Sequence, residues 1–435
     1  MTTVDGLANR DEWVAAFTAT GASQCGFCTP GIIMRLAASR GSVDDALLAQ
    51  LCRCTGWQTI REAAALVSTG ADPASRDLAA AEQRATLEGR VRQTVGPQVA
   101  LGRGGFADDT APADALVAVP GADGAWIVGQ TLADARRRAG RAPGRRTTVD
   151  AEAPLALPPG AWSLTLRTSW VEPGYLEPDA SWCAPGGEPA SPLANGGGFG
   201  GKTHSIAATS ARRLADEHGR PVRVVLSRED VVRLAPKRPP IAAGVRADGT
   251  GSVRVVRTPG IVAAINAVAP GLDVEEVDVV GPSTSSALRA AGWAEAVVLA
   301  AGLRGDRRVT VTSPEGATAW AERSATGAIA VGVRCGPVLD EVTLRSYCIG
   351  AAHMALSWVT SEAIAIDGDG QPLDLTIRSF GVLRAKDTPA ITVDIADGDG
   401  PPMNGSDAVF VAVAGAVWVA LGCPPDWPTN RRRQS

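Results

Sequence analysis

Histidine and tyrosine are nearly missing from this chain of 435 residues, with three of one and two of the other. His204, His218 and His353 share no ligand spacing, which argues against a histidine-built metal centre and leaves them as solvated or structural residues. A dominant charge is also lacking. The formal net charge of −4 gives no reason to expect nucleic acid or an anionic membrane as a partner. Long apolar runs are lacking too: the longest, Ala408 to Leu421, is too short to span a bilayer and reads as a buried helix. The polar N-terminus has no apolar signal core, so a cytoplasmic location is expected. The arginine run Arg431–Arg433 reads as a solvated tail. What is present is ordinary for a globular protein, 45% hydrophobic and 20% charged residues, and the length predicts two or three domains.

Cysteine is where the chain becomes specific. Cys183, Cys335, Cys348 and Cys423 are scattered and read as reduced thiols. The other four form two close pairs, Cys25-Gly-Phe-Cys28 and Cys52-Arg-Cys54, separated by a helix-sized spacer. Four soft sulfur ligands in this arrangement suit a tetrahedral zinc ion or an iron–sulfur cluster. Zinc sites commonly use two C-x2–4-C knuckles, so the tight C-x-C pair favours the cluster. Helical spacing over Glu12–Thr18, Ile32–Ser39, Val43–Gln50 (capped by Ser42, with Asp44 and Asp45 in the first turn) and Gln58–Ser68 predicts four short helices, with each cysteine pair on a loop between them.

Residues 71–100 read as a charged helical linker. Beyond about residue 101 the texture becomes α+β. Strands are predicted at Trp162–Thr168, Val222–Leu226, Ser252–Arg257, Ala328–Val333, Glu362–Ile366 and Ile391–Ile395. Arg246-Ala-Asp-Gly249 and Ile366-Asp-Gly-Asp-Gly370 carry hairpin-turn chemistry. The expected division is 1–70, the linker 71–100, then 101–245 and 246–435. Gly196-Gly-Gly-Phe-Gly-Gly-Lys202-Thr203, leading into a helix at Ser205–Glu217, satisfies the Walker A pattern literally. However, Ala190–Asn195 makes a poor strand before it.

Gln24-Cys-Gly-Phe-Cys-Thr-Pro-Gly31 and Leu51-Cys-Arg-Cys-Thr-Gly-Trp-Gln58 closely resemble the second iron–sulfur domain of the molybdenum hydroxylases, the xanthine dehydrogenase and aldehyde oxidase family. The resemblance implies an all-α four-helix [2Fe-2S] domain followed by α+β molybdopterin-binding domains. Cys25, Cys28, Cys52 and Cys54 match the cluster ligands, and Gln24 matches a pterin-contacting glutamine. The glycine loop is similar to the family's molybdenum-domain signature, which implies that Gly198, Phe199 and Gly200 approach the cofactor. Tyr175-Leu-Glu-Pro178 and Lys237-Arg238-Pro239 are also similar to family segments. Arg289, in Leu288-Arg-Ala-Ala-Gly292, matches an arginine that would orient a substrate carbonyl. Asp407 stands where the family places its catalytic glutamate; the alternative is that it caps the following helix.

The implied function is hydroxylation of an aldehyde or N-heterocycle at a Mo-molybdopterin centre, in its plain or cytosine-dinucleotide form, with electrons passing to the cluster. The plant-type ferredoxin spacing and a flavin domain are not found in the sequence, so a FAD or ferredoxin-type electron-transfer subunit is expected as a partner. Aspartate is one methylene shorter than glutamate, and misplacement of a base by about an ångström costs on the order of 10²-fold. That shortening, with compressed pterin regions, supports the alternative of a [2Fe-2S] electron-transfer or assembly module fused to an inactive cofactor domain.

Overall fold

Four helices succeed one another at the start of the chain: α1 (Arg10–Thr20), α2 (Thr29–Ala38), α3 (Val43–Leu47) and α4 (Gln58–Thr69). The structure is a computed structural model that describes residues 2–140 and 149–430, so the Arg431–Arg433 tail lies outside the described residues. Local chemistry sets the ends of these helices. The Ser42 hydroxyl accepts the Asp45 N–H at the start of α3, and Gly21 and Gly70 close α1 and α4 in the left-handed conformation. The inward faces bury Trp13, Phe17, Ile32, Ile33 and Ile60 in one cluster. Cys25 and Cys28 fall in the connection from α1 to α2, and Cys52 and Cys54 in that from α3 to α4.

The segment expected to be a linker contains α5 (Leu78–Gly89) and α6 (Pro97–Ala100). Asp72, Asp77, Arg90 and Arg92 face water, but the central charges of α5 do not. Arg84 and Glu88 are buried in α5 and pair with each other at 3.1 Å, so one face of this helix belongs to the interior. A charge pattern alone cannot distinguish a solvated helix from one whose charges are paired inside.

From β1 (Leu116–Pro120) the chain runs through β2 (Trp126–Gly129), α7 (Leu132–Ala139), β3 (Leu164–Thr168), β4 (Asp179–Cys183), α8 (Ile206–His218) and β5 (Val222–Leu226). It continues with α9 (Arg228–Leu234), β6 (Ile241–Val245), β7 (Gly251–Val256), α10 (Ile261–Asn266), β8 (Leu272–Val277), α11 (Trp293–Arg304), β9 (Arg308–Thr312) and β10 (Thr318–Arg323). The last elements are β11 (Ile329–Arg334), α12 (Glu341–Thr360), β12 (Ile391–Ala396), α13 (Ser406–Ala420) and β13 (Asp426–Trp427). Among the described residues these strands form three mixed sheets, ordered β2-β1-β5-β4, β13-β3-β6-β7-β8 and β12-β11-β10-β9. The boundary expected after residue 245 falls inside the β6–β7 hairpin, whose antiparallel ladder pairs Val245 with Gly251. The Arg246–Gly249 turn is the hairpin chemistry read from the sequence, and it joins strands of one sheet rather than two domains.

The largest core is built from α11, α12 and α13 against the β9–β12 sheet. Helix α13 is buried along nearly its whole length. No helix among the described residues is long and apolar enough to cross a membrane.

Contacts far apart in sequence fasten the cysteine-bearing helices to this core. Arg53 makes a two-pronged bond to Glu362 at 2.6 and 2.7 Å, and its Nε donates to the Pro173 carbonyl. Arg345 pairs with Glu62, and Gln58 accepts the Ile391 N–H. Glu362–Ile366, expected as a strand, forms none. Glu362 is committed to Arg53, and Ile366 makes only an isolated bridge to Pro372 around the Asp367–Gly370 turn.

Candidate functional site

The four paired cysteines meet two and two. The Cys54 thiol donates to Cys25 Sγ at 3.8 Å, and the Cys28 thiol hydrogen-bonds to Cys52. The Cys52 thiol is brought down to about 6 by that bond, against burial and with help from the Thr55 hydroxyl at 3.1 Å. Cys28 is pushed well up by its donation to Cys52 and by burial, and Cys54 by its donation to Cys25 and by burial. Among the described residues no group of three or more His, Cys, Asp and Glu side chains stands ready to share one metal ion.

Beside these thiols lies a cavity of about 470 Å³, within the size range of cofactor and substrate sites. Gln24, Cys25 and Cys54 contribute to its wall, as do Gly196 to Gly200, Arg289 and Asp407. The structure thus brings together residues taken from both ends of the chain. Cys28 and Cys52 are not among the residues that line it.

The glycine loop earns its composition by close approach. Gly198, Phe199 and Gly200 all have positive φ, at 60°, 54° and 89°, a left-handed conformation that glycine tolerates best. A Cβ on Gly200 would stand 1.9 Å from the Ala287 carbonyl oxygen. The Arg289 N–H donates to the Phe199 carbonyl, so the loop and the arginine segment are stitched directly. The Arg289 guanidinium also lies over the Phe199 ring, with 5.2 Å from its carbon to the centroid. Gly200→Ala is therefore expected to lower stability by about 1–3 kcal/mol through overpacking, read as a lower unfolding temperature. An unchanged melting curve would refute this account of the loop.

The Walker A reading fails here. Residues 184–195 contain no strand, and Lys202 is fully buried, with Nζ donating to the Pro178 carbonyl instead of facing an open loop.

Asp407 is an ion-pair centre. Its Oδ1 stands 3.0 Å from Arg289 Nε, and its Oδ2 accepts from Arg90 Nε and Nη2 at 3.1 and 3.0 Å. Capping of α13 falls to other residues. Asn404 Oδ1 accepts the Asp407 N–H, and the Glu88 carboxylate accepts the Gly405 and Ser406 N–H groups. Arg289 is only 9% exposed and is therefore not a solvated surface arginine.

Sequence reasoning missed Arg90, Glu88 and Asn195. Arg90 ends α5 in the left-handed conformation and also reaches Glu315, at 2.5 Å, in the β9–β10 turn. Burial opposes its charge, but Asp407 and Glu315 more than offset this, leaving its pKa above the ordinary arginine value. Asn195, at the head of the glycine loop, donates to the Cys25 carbonyl at 2.8 Å. Gln24 donates to the Cys54 carbonyl and to Ser346. A signal for Asn195 was present in its type, since asparagine enters left-handed turns readily, and its φ is 54°. Nothing local marks Arg90 as a partner of Asp407, or Glu88 as the acceptor for Gly405 and Ser406, because those residues lie hundreds of positions away.

Residues 3–65 match the [2Fe-2S] binding domain family. This part of the chain is homologous to xanthine dehydrogenases and aldehyde oxidases. It is 38% identical over 76 residues to the xanthine dehydrogenase of Dictyostelium discoideum, covering 15% of this chain and 6% of that protein. It is 38% identical over 78 residues to the aldehyde oxidase 1 of Oryctolagus cuniculus, covering 14% of this chain and 6% of that one. These alignments therefore span only a small part of the relatives they match. In three dimensions the chain is similar to the aldehyde oxidoreductase of Desulfovibrio gigas, with a TM-score of 0.66, 12% identity and coverage of 99% of this chain and 91% of that one. The Desulfovibrio desulfuricans aldehyde oxidoreductase gives the same TM-score, identity and coverage. The chain thus shares the multidomain fold of the aldehyde oxidoreductases, built of helices and mixed sheets.

Proposed function

We propose that this chain is a molybdenum-hydroxylase-like oxidoreductase that joins a [2Fe-2S] cluster to a pterin-cofactor cavity. One observation carries the reading: Cys25 and Cys54 stand in the wall of the same cavity as the glycine loop, Arg289 and Asp407. The donor set fits the cluster, because a [2Fe-2S] centre takes four thiolates, two on each iron, and these thiols gather as two pairs. Cys25, Cys28, Cys52 and Cys54 would hold it within an all-α four-helix unit. The cavity's size and its positive-φ glycine wall fit a molybdopterin, contacted by Gln24, Gly198, Phe199 and Gly200.

When bound, the molybdenum cofactor supplies the two-electron oxidation that inserts water-derived oxygen at an aldehyde or N-heterocycle C–H. This chain's residues supply positioning and proton handling. Arg289 lines the cavity, and an Nη group turned from Met354 or Ser406 would donate to a substrate carbonyl. Asp407 offers a carboxylate, and it can accept a proton once Arg90 releases Oδ2. Electrons would leave through Cys25 and Cys54 toward a FAD or ferredoxin-type partner subunit.

A second reading is an electron-transfer or assembly module with an inactive cofactor domain. The pairing of Asp407 with two guanidiniums favours it, since a carboxylate committed on both oxygens is a poor base.

Anaerobic purification with iron, molybdenum and pterin analysis and EPR separates the two. About two Fe and one Mo per chain, with aldehyde oxidation lost in Asp407→Ala, is the expected result. Iron without molybdenum, after expression with a cofactor supply, would establish the second reading instead.

A further inference from the structure

Lys202, singled out by the Walker pattern, has a partner that neither function above uses. Its side chain is fully buried, and Nζ stands 3.9 Å from Glu177 Oε1. Glu177 is itself only 5% exposed. Its Oε1 accepts the Gly198 N–H at 2.9 Å, so this carboxylate carries the apex of the glycine loop. A Cβ on Gly196 would stand 2.9 Å from the same oxygen, which shows how closely the loop lies on it. Oε2 has no hydrogen-bond partner. Glu177 also shares the cavity wall with Cys25 and Cys54. Asn195, three residues before Gly198, donates to the Cys25 carbonyl at 2.8 Å, so the loop seated on Glu177 is tied directly to the cysteine segment. One carboxylate therefore holds the loop through Oε1 and stands in the wall of the cavity that two of the cysteines also line.

We propose that Glu177 is a positioning residue of the redox site: it seats the glycine loop through Oε1, and its negative charge, partly offset by Lys202, holds down the reduction potential of the group bound by Cys25, Cys28, Cys52 and Cys54. The proposal rests on the [2Fe-2S] reading of those cysteines. Reduction adds one electron to the cluster, and a nearby carboxylate in a water-poor wall opposes that added charge. Lys202 offsets this only in part, because it stands beyond hydrogen-bond distance of the carboxylate and commits its ammonium to the Pro178 carbonyl.

The test is a redox titration of the purified full-length protein, followed by EPR, with iron and sulfide measured on every sample. Glu177→Gln keeps an acceptor for the Gly198 N–H but removes the charge, and the cluster potential is expected to rise. Glu177→Asp keeps the charge, and its potential is expected to stay near that of the wild type. Equal shifts in the two variants, or no shift in Glu177→Gln with iron in place, would overturn the proposal, since a purely structural role does not distinguish charge from shape. If Glu177→Gln alone fails to hold iron because Lys202 is left unpaired, the pair Glu177→Gln with Lys202→Met decides. A raised potential there supports the proposal and an unchanged one overturns it. Wild-type protein without iron would instead sink the cluster reading itself.

Discussion

Cys54→Ser is expected to empty the protein of iron, from about two per chain toward none, and to abolish the visible absorption of the cluster. Serine keeps the size of the side chain but offers a hard hydroxyl that stays protonated at neutral pH, where a thiolate is needed. The substitution also strands Cys25, whose Sγ stands 3.8 Å from Cys54 Sγ. Because metal binding and folding are linked, the helices α1 to α4 should become easier to unfold and to cleave. The control is Cys348→Ser. That thiol is fully buried on α12 and lies outside the two pairs, so this variant should keep its iron. Equal iron in wild type and Cys54→Ser, or equal loss in both variants, would end the assignment of the ligands.

Arg84→Met is expected to cause the largest loss of stability, about 3–5 kcal/mol, the usual cost of removing one member of a buried ion pair. The guanidinium is fully buried and holds four oxygens: the Val338, Pro337 and Met403 carbonyls and the Glu88 carboxylate. Methionine fills much of the volume but donates nothing, so all four groups lose a partner. Glu88 in turn accepts the first N–H groups of α13. The damage therefore reaches Asp407, one residue further along. Denaturant unfolding of the two proteins measures the effect. A difference within about 0.5 kcal/mol, the range of neutral surface changes, would show that the pair is not a structural keystone.

Much of the local structure was legible in the sequence. The four early helices, the β5 strand and the turn at Arg246–Gly249 follow from apolar spacing, capping residues and turn chemistry, all of which act over a few residues. The cysteine pairs and the glycine loop were legible because few other functions need those residue types so densely. Glu362 is different. Its neighbours Ala363 to Ile366 read plausibly as a strand, yet its side chain is taken by Arg53, 309 residues earlier, and the Ala363 and Ile364 N–H groups go to Phe380 and Trp170 instead of to one ladder. Arg90 likewise gives no local sign that it belongs beside Asp407, 317 residues away. The linker and the boundary after residue 245 were misplaced for the same reason. Charge density and turn residues describe the chain locally, whereas burial of Arg84 and the β6–β7 ladder are decided by what folds around them.

The fork between Arg53 and Glu362 also sets an order of events during synthesis. At about 5–20 residues per second, the 309 residues between the two partners take roughly 15–60 s to make. Throughout that interval the loop carrying Cys52 and Cys54 has emerged without the carboxylate that later fastens it to the core. Until Glu362 is made, that loop is held only by its own helices, and the Arg53 guanidinium at its centre lacks the carboxylate that receives it in the finished fold.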